Sequence, residues 1–220
     1  MIYIKRIFLF LMVSFLIIAC NSEYSHKKTG YNKIILPQHQ YQLFNSPDFP
    51  YSFEYPTYGN IIKDSTYFDR TPENNYWINL DFPSLNARVF LSYKIIGGKV
   101  LYKLKQANGS IKDSTGINQF DLLVNDAFNL TNKNEIMATS ISEIPILTPN
   151  GVSGMYFKVG GNAATAKQFF LTDSVHHFLR GALYFNSTPN ADSLKPVHEF
   201  LEEDIHHLIQ TFKWKNQILN

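Results

Sequence analysis

From Tyr31 onward, apolar residues along the chain recur in two rhythms. The first has a period of two, in short stretches set apart by Pro, Asn and Gly: YNKIIL (31–36), YSFEY (51–55), YWINLDF (76–82) and NARVFLSYK (86–94). In the last stretch Ala87, Val89, Leu91 and Tyr93 alternate with Arg88, Phe90 and Ser92, the pattern of a strand with one face in a core. After Gly116 the period lengthens. Phe120, Leu123, Val124, Ala127 and Phe128 form one stripe of an amphipathic helix, with Asn118 placed to cap it. Period two then returns in EIMATSI (135–141), MYFKVG (155–160), QFFLT (168–172) and HFLRGALYFN (177–186). Pro149-Asn150-Gly151 and Asp173-Ser174 supply turns between these stretches. A second helix closes the chain, with Val197, Leu201, Ile205, Leu208 and Phe212 as its buried stripe, Asp192 or Ser193 as its cap and Pro196 in its first turn. This order predicts an α+β domain with a mostly antiparallel β-sheet flanked by helices. Connections of hairpin length exclude a doubly wound parallel sheet.

The opening block follows neither rhythm. Lys5 and Arg6 precede an apolar run, Ile7 to Ile18, broken only by Ser14 and followed by Ala19. That is the layout of an export signal, too short for a stable membrane span. Cys20 is the chain's single cysteine and stands at the first mature position, so Ile17-Ile18-Ala19-Cys20 reads as a lipobox with Cys20 as the lipidation site. Buried acyl chains contribute about 0.8 kcal/mol per CH₂, so several chains on Cys20 hold a protein on a bilayer without crossing it. NSEYSHKKT (21–29) is polar and unpatterned, a tether. The predicted organisation is a signal peptide at 1–19, a lipidated tether at 20–30, one domain at 31–215 and a tail at 216–220. A lone cysteine excludes disulfides within the chain, so the core must be stable without them.

Charge narrows the classes further. Lys and Arg total 20 against 18 Asp and Glu, and removing residues 1–19 takes away two cations and no acid, which leaves the mature chain balanced. Such a balance gives no electrostatic footprint for nucleic acid and predicts no polybasic patch for anionic lipid.

Candidate chemistry is sparse. His198, Glu202 and His206 are spaced like helical metal ligands, yet their angles drift toward solvent and no HExxH accompanies them, so the expected role is a solvated helix face without metal. His176-His177 and His206-His207 are neighbours in sequence, and neighbours on a strand point to opposite faces. Gly151-Val152-Ser153-Gly154 is a residue short of a nucleophile elbow, and Gly97-Gly98-Lys99 lacks the rest of a phosphate loop. No catalytic residue and no cofactor are therefore assigned. Arg180 shares a strand face with Phe178, Ala182 and Tyr184, and a guanidinium there needs a partner, which Asp173, Asp192 or Glu199 can supply. Arg180, Asn162 and Asp192 remain candidate contacts to a ligand or partner, with a structural ion pair or turn as the plainer reading.

Asp-Ser recurs at Asp64-Ser65, Asp113-Ser114, Asp173-Ser174 and Asp192-Ser193. In an exported chain this resembles the O-glycosylation sequon of Bacteroidetes proteins, with Ser65 and Ser114, in loop-like sequence, as the best acceptors; turn and cap chemistry also favours Asp-Ser and accounts well for Asp173-Ser174 and Asp192-Ser193.

GNAATAKQFFLTDSVHHFLRGALYFNSTPNADSLKPV (161–197), EFLEEDIHHLIQTFKWK (199–215), YNKIILPQHQYQLF (31–44), YSFEYPTY (51–58) and WINLDFPSLNARVFLSYK (77–94) together resemble the gliding-motility lipoprotein GldD family of Bacteroidetes. The stretch 95–119 departs from that pattern. The resemblance implies a cell-envelope lipoprotein needed for gliding and for the linked type IX secretion machinery, with other envelope proteins as partners and no known reaction. The strand and helix order, ending in Phe212-Lys213-Trp214, is also similar to PsbP-like domains, which implies an α/β/α sandwich. Asn21 after Cys20 favours a periplasm-facing domain on the outer membrane over the inner. The alternative is an envelope ligand-binding or hydrolytic protein with a polar site around Arg180.

If the sequons are used, the intact mass of protein purified from envelopes exceeds polypeptide plus lipid by whole sugar residues, and Ser65→Ala or Ser114→Ala removes the increment. A mass equal to lipidated polypeptide alone rejects glycosylation.

Overall fold

The computed structural model describes residues 34–63, 72–133, 138–186 and 191–215, with side chains left undescribed at 191–193. The chain divides into two units, Met1–Ile34 and Ile35–Asn220, and every element below belongs to the second. In order these are β1 (Tyr41–Phe44), β2 (Tyr51–Pro56), β3 (Asn60–Lys63), β4 (Ile78–Phe82), a 3-10 turn at Pro83–Leu85 and β5 (Ala87–Ile95). Next come β6 (Lys99–Lys105), β7 (Ile111–Ile117), α1 (Phe120–Asn132), β8 (Ala138–Leu147), β9 (Ser153–Gly161), β10 (Lys167–Thr172), β11 (His177–Phe185), α2 (Ala191–Thr211) and β12 (Lys213–Trp214).

Seven strands form one antiparallel sheet in the order β3-β4-β5-β11-β10-β9-β8. The chain leaves this sheet after β5, makes the separate two-stranded hairpin β6–β7 and helix α1, and re-enters at the far edge through β8. Three hairpin connections then bring it back, so that β11 pairs with β5 along its whole length, from His177 against Ile95 to Phe185 against Ala87. A smaller sheet, β1-β2-β12, joins the beginning of the domain to its end.

Each helix covers one face of the large sheet. Side chains alternate along a strand, so Phe169 and Leu171 of β10 enter one core while Phe170 enters the other. The larger core gathers Ile78, Leu80, Val89, Leu91, Leu179 and Leu183 against Val197, Leu201, Ile205, Leu208 and Phe212. The smaller core sets Phe157, Phe170 and Phe178 against Leu123 and Ala127 of α1. The architecture is the predicted α+β one, with helices on both sides of a mostly antiparallel sheet.

Most predicted strands and both helices are present, with shifted ends. Gln119, not Asn118, precedes α1, and it makes no side-chain cap. Asn118 is instead spent on the hairpin base, where its N–H donates to the Gly98 carbonyl and its amide to Glu73 at 3.2 Å. Asp192 and Ser193 lie inside α2 instead of capping it, because the helix begins at Ala191. Pro196 therefore falls beyond the first turn and removes an internal helix hydrogen bond. Residues 34–36 of YNKIIL belong to no strand, and β8 runs on to Leu147. The stretch 95–119 is the β6–β7 hairpin and its flanks. Ser114 accordingly sits in β7, paired with Tyr102, and not in a loop.

Two glycines on the central strands are required by close approach. The Phe169 ring lies across Gly181, where an added Cβ would come within 2.2 Å of Phe169 Cζ. At Gly154 a Cβ would meet the Phe170 carbonyl oxygen at 1.9 Å. That neighbour is backbone in the β9–β10 pair and has no rotamer by which to retreat. Gly154→Ala is expected to destabilise the domain by about 2 kcal/mol or more, measured as a lower urea midpoint. An unchanged midpoint would mean that β9 and β10 do not approach this closely.

Candidate functional site

Polar side chains of the domain concentrate where α2 crosses the sheets, in two clusters on successive turns of that helix. In the first, Asp204 is 1% exposed and lies against the small sheet. Its Oδ1 meets His39 Nδ1 at 2.7 Å and accepts the Tyr41 hydroxyl at 3.0 Å, while Oδ2 accepts the Tyr58 hydroxyl. His207, one turn on, stacks on Tyr41 with ring centroids 3.5 Å apart and meets Glu54 Oε2 at 2.7 Å. Burial, followed by the Asp204 charge, pushes the Tyr41 hydroxyl well above its ordinary range; burial and the Asp204 hydrogen bond do the same to Tyr58. Phenols held protonated in this way are donors, not nucleophiles. The cluster ties β1, β2 and the turn after β2 to α2.

In the second cluster Glu202 is held by Lys167 Nζ at 2.5 Å, Lys158 Nζ at 3.1 Å and the Tyr156 hydroxyl at 3.3 Å. Burial alone would raise its carboxyl, but the two ammonium groups keep it below its ordinary value. Lys167 itself is buried in β10 and lowered by that burial in spite of Glu202. The expected solvated helix face is thus corrected in part. Glu202 packs over β9 and β10, because Tyr156, Lys158 and Lys167 project from the side of the sheet that α2 covers, and His198 is half-buried, while His206 stays exposed beside Tyr156. Glu202 is engaged by lysines, and among the described residues no group of His, Cys, Asp and Glu is arranged to hold a metal ion.

His198 borders this cluster, edge-on to Phe185 at 4.6 Å, with a buried Nδ1 that has no hydrogen-bond partner among the described residues. Burial, aided by the Lys167 charge, lowers its pKa to about 4. The adjacent histidines diverge as the strand rule requires. His176 is exposed, whereas His177 turns inward to meet the Tyr93 hydroxyl at 2.6 Å and stacks on Trp214.

Arg180 occupies the opposite face of the sheet. The alternation of β11 places it on the α1 side, away from Glu199, which lies 3.9 Å from Lys195 on α2. Asp173 is committed as well: its Oδ1 accepts the N–H groups of Val175, His176 and His177, which keep it below its ordinary value against the effect of burial. The partner of Arg180 is therefore neither of these carboxylates but Gln168, whose Oε1 accepts from the guanidinium. Asn162 is exposed in the β9–β10 connection after Gly161, and the register separates it from Arg180 along β10. The Asp192 side chain, Cys20 and Ser65 lie outside what is described. Beside Arg180's strand pair an open groove of about 540 Å³ runs between α1 and the ends of β8–β10. Phe120, Val124, Phe128, Ile146, Met155 and Phe170 line it with Asp121, Asn125, Ser153, Thr172 and Ser174, and Arg180 is not among its lining residues.

Sequence reasoning missed the Asp204 cluster. His39 and Asp204 are 165 positions apart, and no spacing rule links them. The one available signal was the polar, aromatic stretch QHQYQLF (38–44), which is too hydrophilic for an ordinary core strand.

Burial of His198 gives a pH dependence of definite sign. In the unfolded chain its imidazole takes up a proton near the ordinary 6.5, and in the folded domain only near 4, so acid favours unfolding. This contribution costs stability progressively as pH falls from about 6.5 to about 4 and is constant below. His198→Phe is expected to shrink the loss of urea midpoint between neutral pH and pH ~4. An equal loss in both proteins would assign the acid sensitivity elsewhere.

Comparison with solved structures finds cyanobacterial PsbP (CyanoP) from Synechocystis sp. PCC 6803, at 10% identity and a TM-score of 0.40, covering 81% of this chain and 95% of that one. No curated protein sequence matches. The model of one protein family, described as gliding motility lipoprotein GldD, matches residues 21–214, nearly all of the tether and domain. The chain belongs to this family of gliding motility lipoproteins.

Proposed function

We propose that the protein is a non-enzymatic subunit of the cell envelope, anchored by lipid on Cys20, that assembles or stabilises the gliding apparatus and the type IX secretion machinery linked to it. The observation that carries this reading is the match of a motility lipoprotein family over the tether and the whole domain. The internal chemistry is consistent with it. Asp204 and Glu202 are each enclosed by donors of the same chain, and Tyr41, Tyr58 and Tyr156 are held protonated. Such groups fasten elements together and leave no activated nucleophile.

The rival reading, a ligand-binding or hydrolytic protein centred on Arg180, calls for an enclosed polar pocket around that residue. Arg180 instead bonds Gln168 at the sheet surface, beside a groove that is open and mainly apolar. The working arrangement in this reading is a lipid at Cys20, a polar tether and a folded domain reaching into the periplasm, with Asn21 after Cys20 favouring the outer membrane as the site of the anchor. Tethering raises the effective concentration of the domain near its partners, so a weak contact suffices for assembly.

The test is single-cell gliding speed on glass in a deletion strain complemented with wild type or Cys20→Ala at equal protein level. Wild type is expected to restore movement and Cys20→Ala to leave cells stationary. Undiminished gliding in the deletion strain would reject the motility role, and full rescue by Cys20→Ala would reject the anchor.

A further inference from the structure

The hairpin β6–β7 stands apart from the rest of the domain in its pairing, its charge and its exposure. Its two strands pair only with each other among the described residues, from Lys99 against Ile117 to Lys105 against Ile111. A closed turn ends it, with Gln106 N–H donating to the Ser110 carbonyl at 2.8 Å and Gly109 at φ +82°. Lys99, Lys103, Lys105 and Lys112 lie on it against the single acid Asp113, and none of the four lysines forms an ion pair among the described residues. The balance of charge over the mature chain therefore conceals a local excess of positive charge, and the expectation of no polybasic patch is corrected here.

The hairpin also exposes its apolar side chains. Leu101 is 76% exposed, Ile111 67%, Leu104 47% and Tyr102 42%. A two-stranded hairpin by itself is marginal in water, and here large apolar side chains stand exposed beside lysines at its outer end. We infer that the Lys99–Ile117 hairpin docks by its tip on the anionic surface of the bilayer that carries the protein's own lipid, with Leu104 and Ile111, one on each face, entering the headgroup region and Lys103, Lys105 and Lys112 around them meeting phosphates. Lysine at a bilayer surface contributes attraction that decays within a Debye length, while apolar side chains at the boundary contribute burial. Both components are present on this element, whose one acid, Asp113, lies across from Lys103 and leaves an excess of lysine. The short connection favours a membrane over a remote partner. The chain from Cys20 to Ile35 extends at most about 50 Å, which keeps the domain close to the bilayer that holds the lipid. This last point rests on the reading of Cys20 as the lipid site; the charge and exposure do not.

The test uses the full lipidated protein carrying a Leu104→Trp reporter, reconstituted into vesicles of phosphatidylcholine alone or mixed with phosphatidylglycerol. Fluorescence quenching by brominated acyl chains is read after subtracting wild type, whose Trp77 and Trp214 are within the domain. Quenching is expected in the mixed vesicles, weaker in neutral ones or at high salt, and reduced on the order of a hundredfold in apparent association when Lys103→Gln, Lys105→Gln and Lys112→Gln are combined. An unchanged urea midpoint in the triple variant verifies that the domain still folds. If the protein co-floats with vesicles but the reporter is not quenched, the hairpin proposal fails while the anchor stands. Failure to co-float at all rejects the lipid on Cys20 instead. Hydrogen-exchange protection of the hairpin that rises with protein concentration, whatever the lipid, assigns this face to a second copy of the chain and overturns the proposal.

Discussion

The central strand β10 has no solvent face, and the remaining architecture follows from that constraint. Every residue of β10 from Lys167 to Thr172 is buried. Phe169 and Leu171 need apolar cover on one side and Phe170 on the other, so a single layer of helix cannot satisfy the strand. Helix α2 closes the larger core and α1 the smaller one. Gly181 lets the Phe169 ring lie flat against the neighbouring strand, and Gly154 lets β9 close in on the backbone of β10. Burial of one strand on both faces thereby calls for a helix on each side of the sheet and for the places where only glycine fits.

Polar groups then define how the ends of the domain are joined. A buried carboxylate needs several donors, and Asp204 finds them in His39, Tyr41 and Tyr58, which lie far from it along the chain. Glu202 likewise gathers Tyr156, Lys158 and Lys167. Through these contacts α2 grips both the small sheet and the far half of the large one. The same contacts engage most of the buried titratable side chains under α2 in holding elements together. On its outside the domain presents the groove beside α1 and the lysine-rich hairpin.

Local rules made most of the regular structure legible. Alternation in NARVFLSYK located β5, the stripe from Phe120 to Phe128 located α1, and the stripe from Val197 to Phe212 located the buried side of α2. The edges were less legible, because caps depend on tertiary demands: Asn118 is drawn to Gly98 and Glu73, and a helix that starts at Ala191 leaves Asp192 no capping role. The face of Arg180 followed from period two, but its partner did not. Gln168 became available only once β10 was laid beside β11.

The sequence by itself determined the antiparallel α+β class, the lone Cys20 after an apolar run and the resemblance that the family match bears out, because each is carried by residues close together or by a long continuous pattern. Only the tertiary structure decided that Glu202 faces lysines instead of water and that Asp204 holds the two ends of the domain together. Those outcomes depend on which distant strands become neighbours. Burial and pairing energies summed over the whole chain settle that choice, and no short window of sequence contains them.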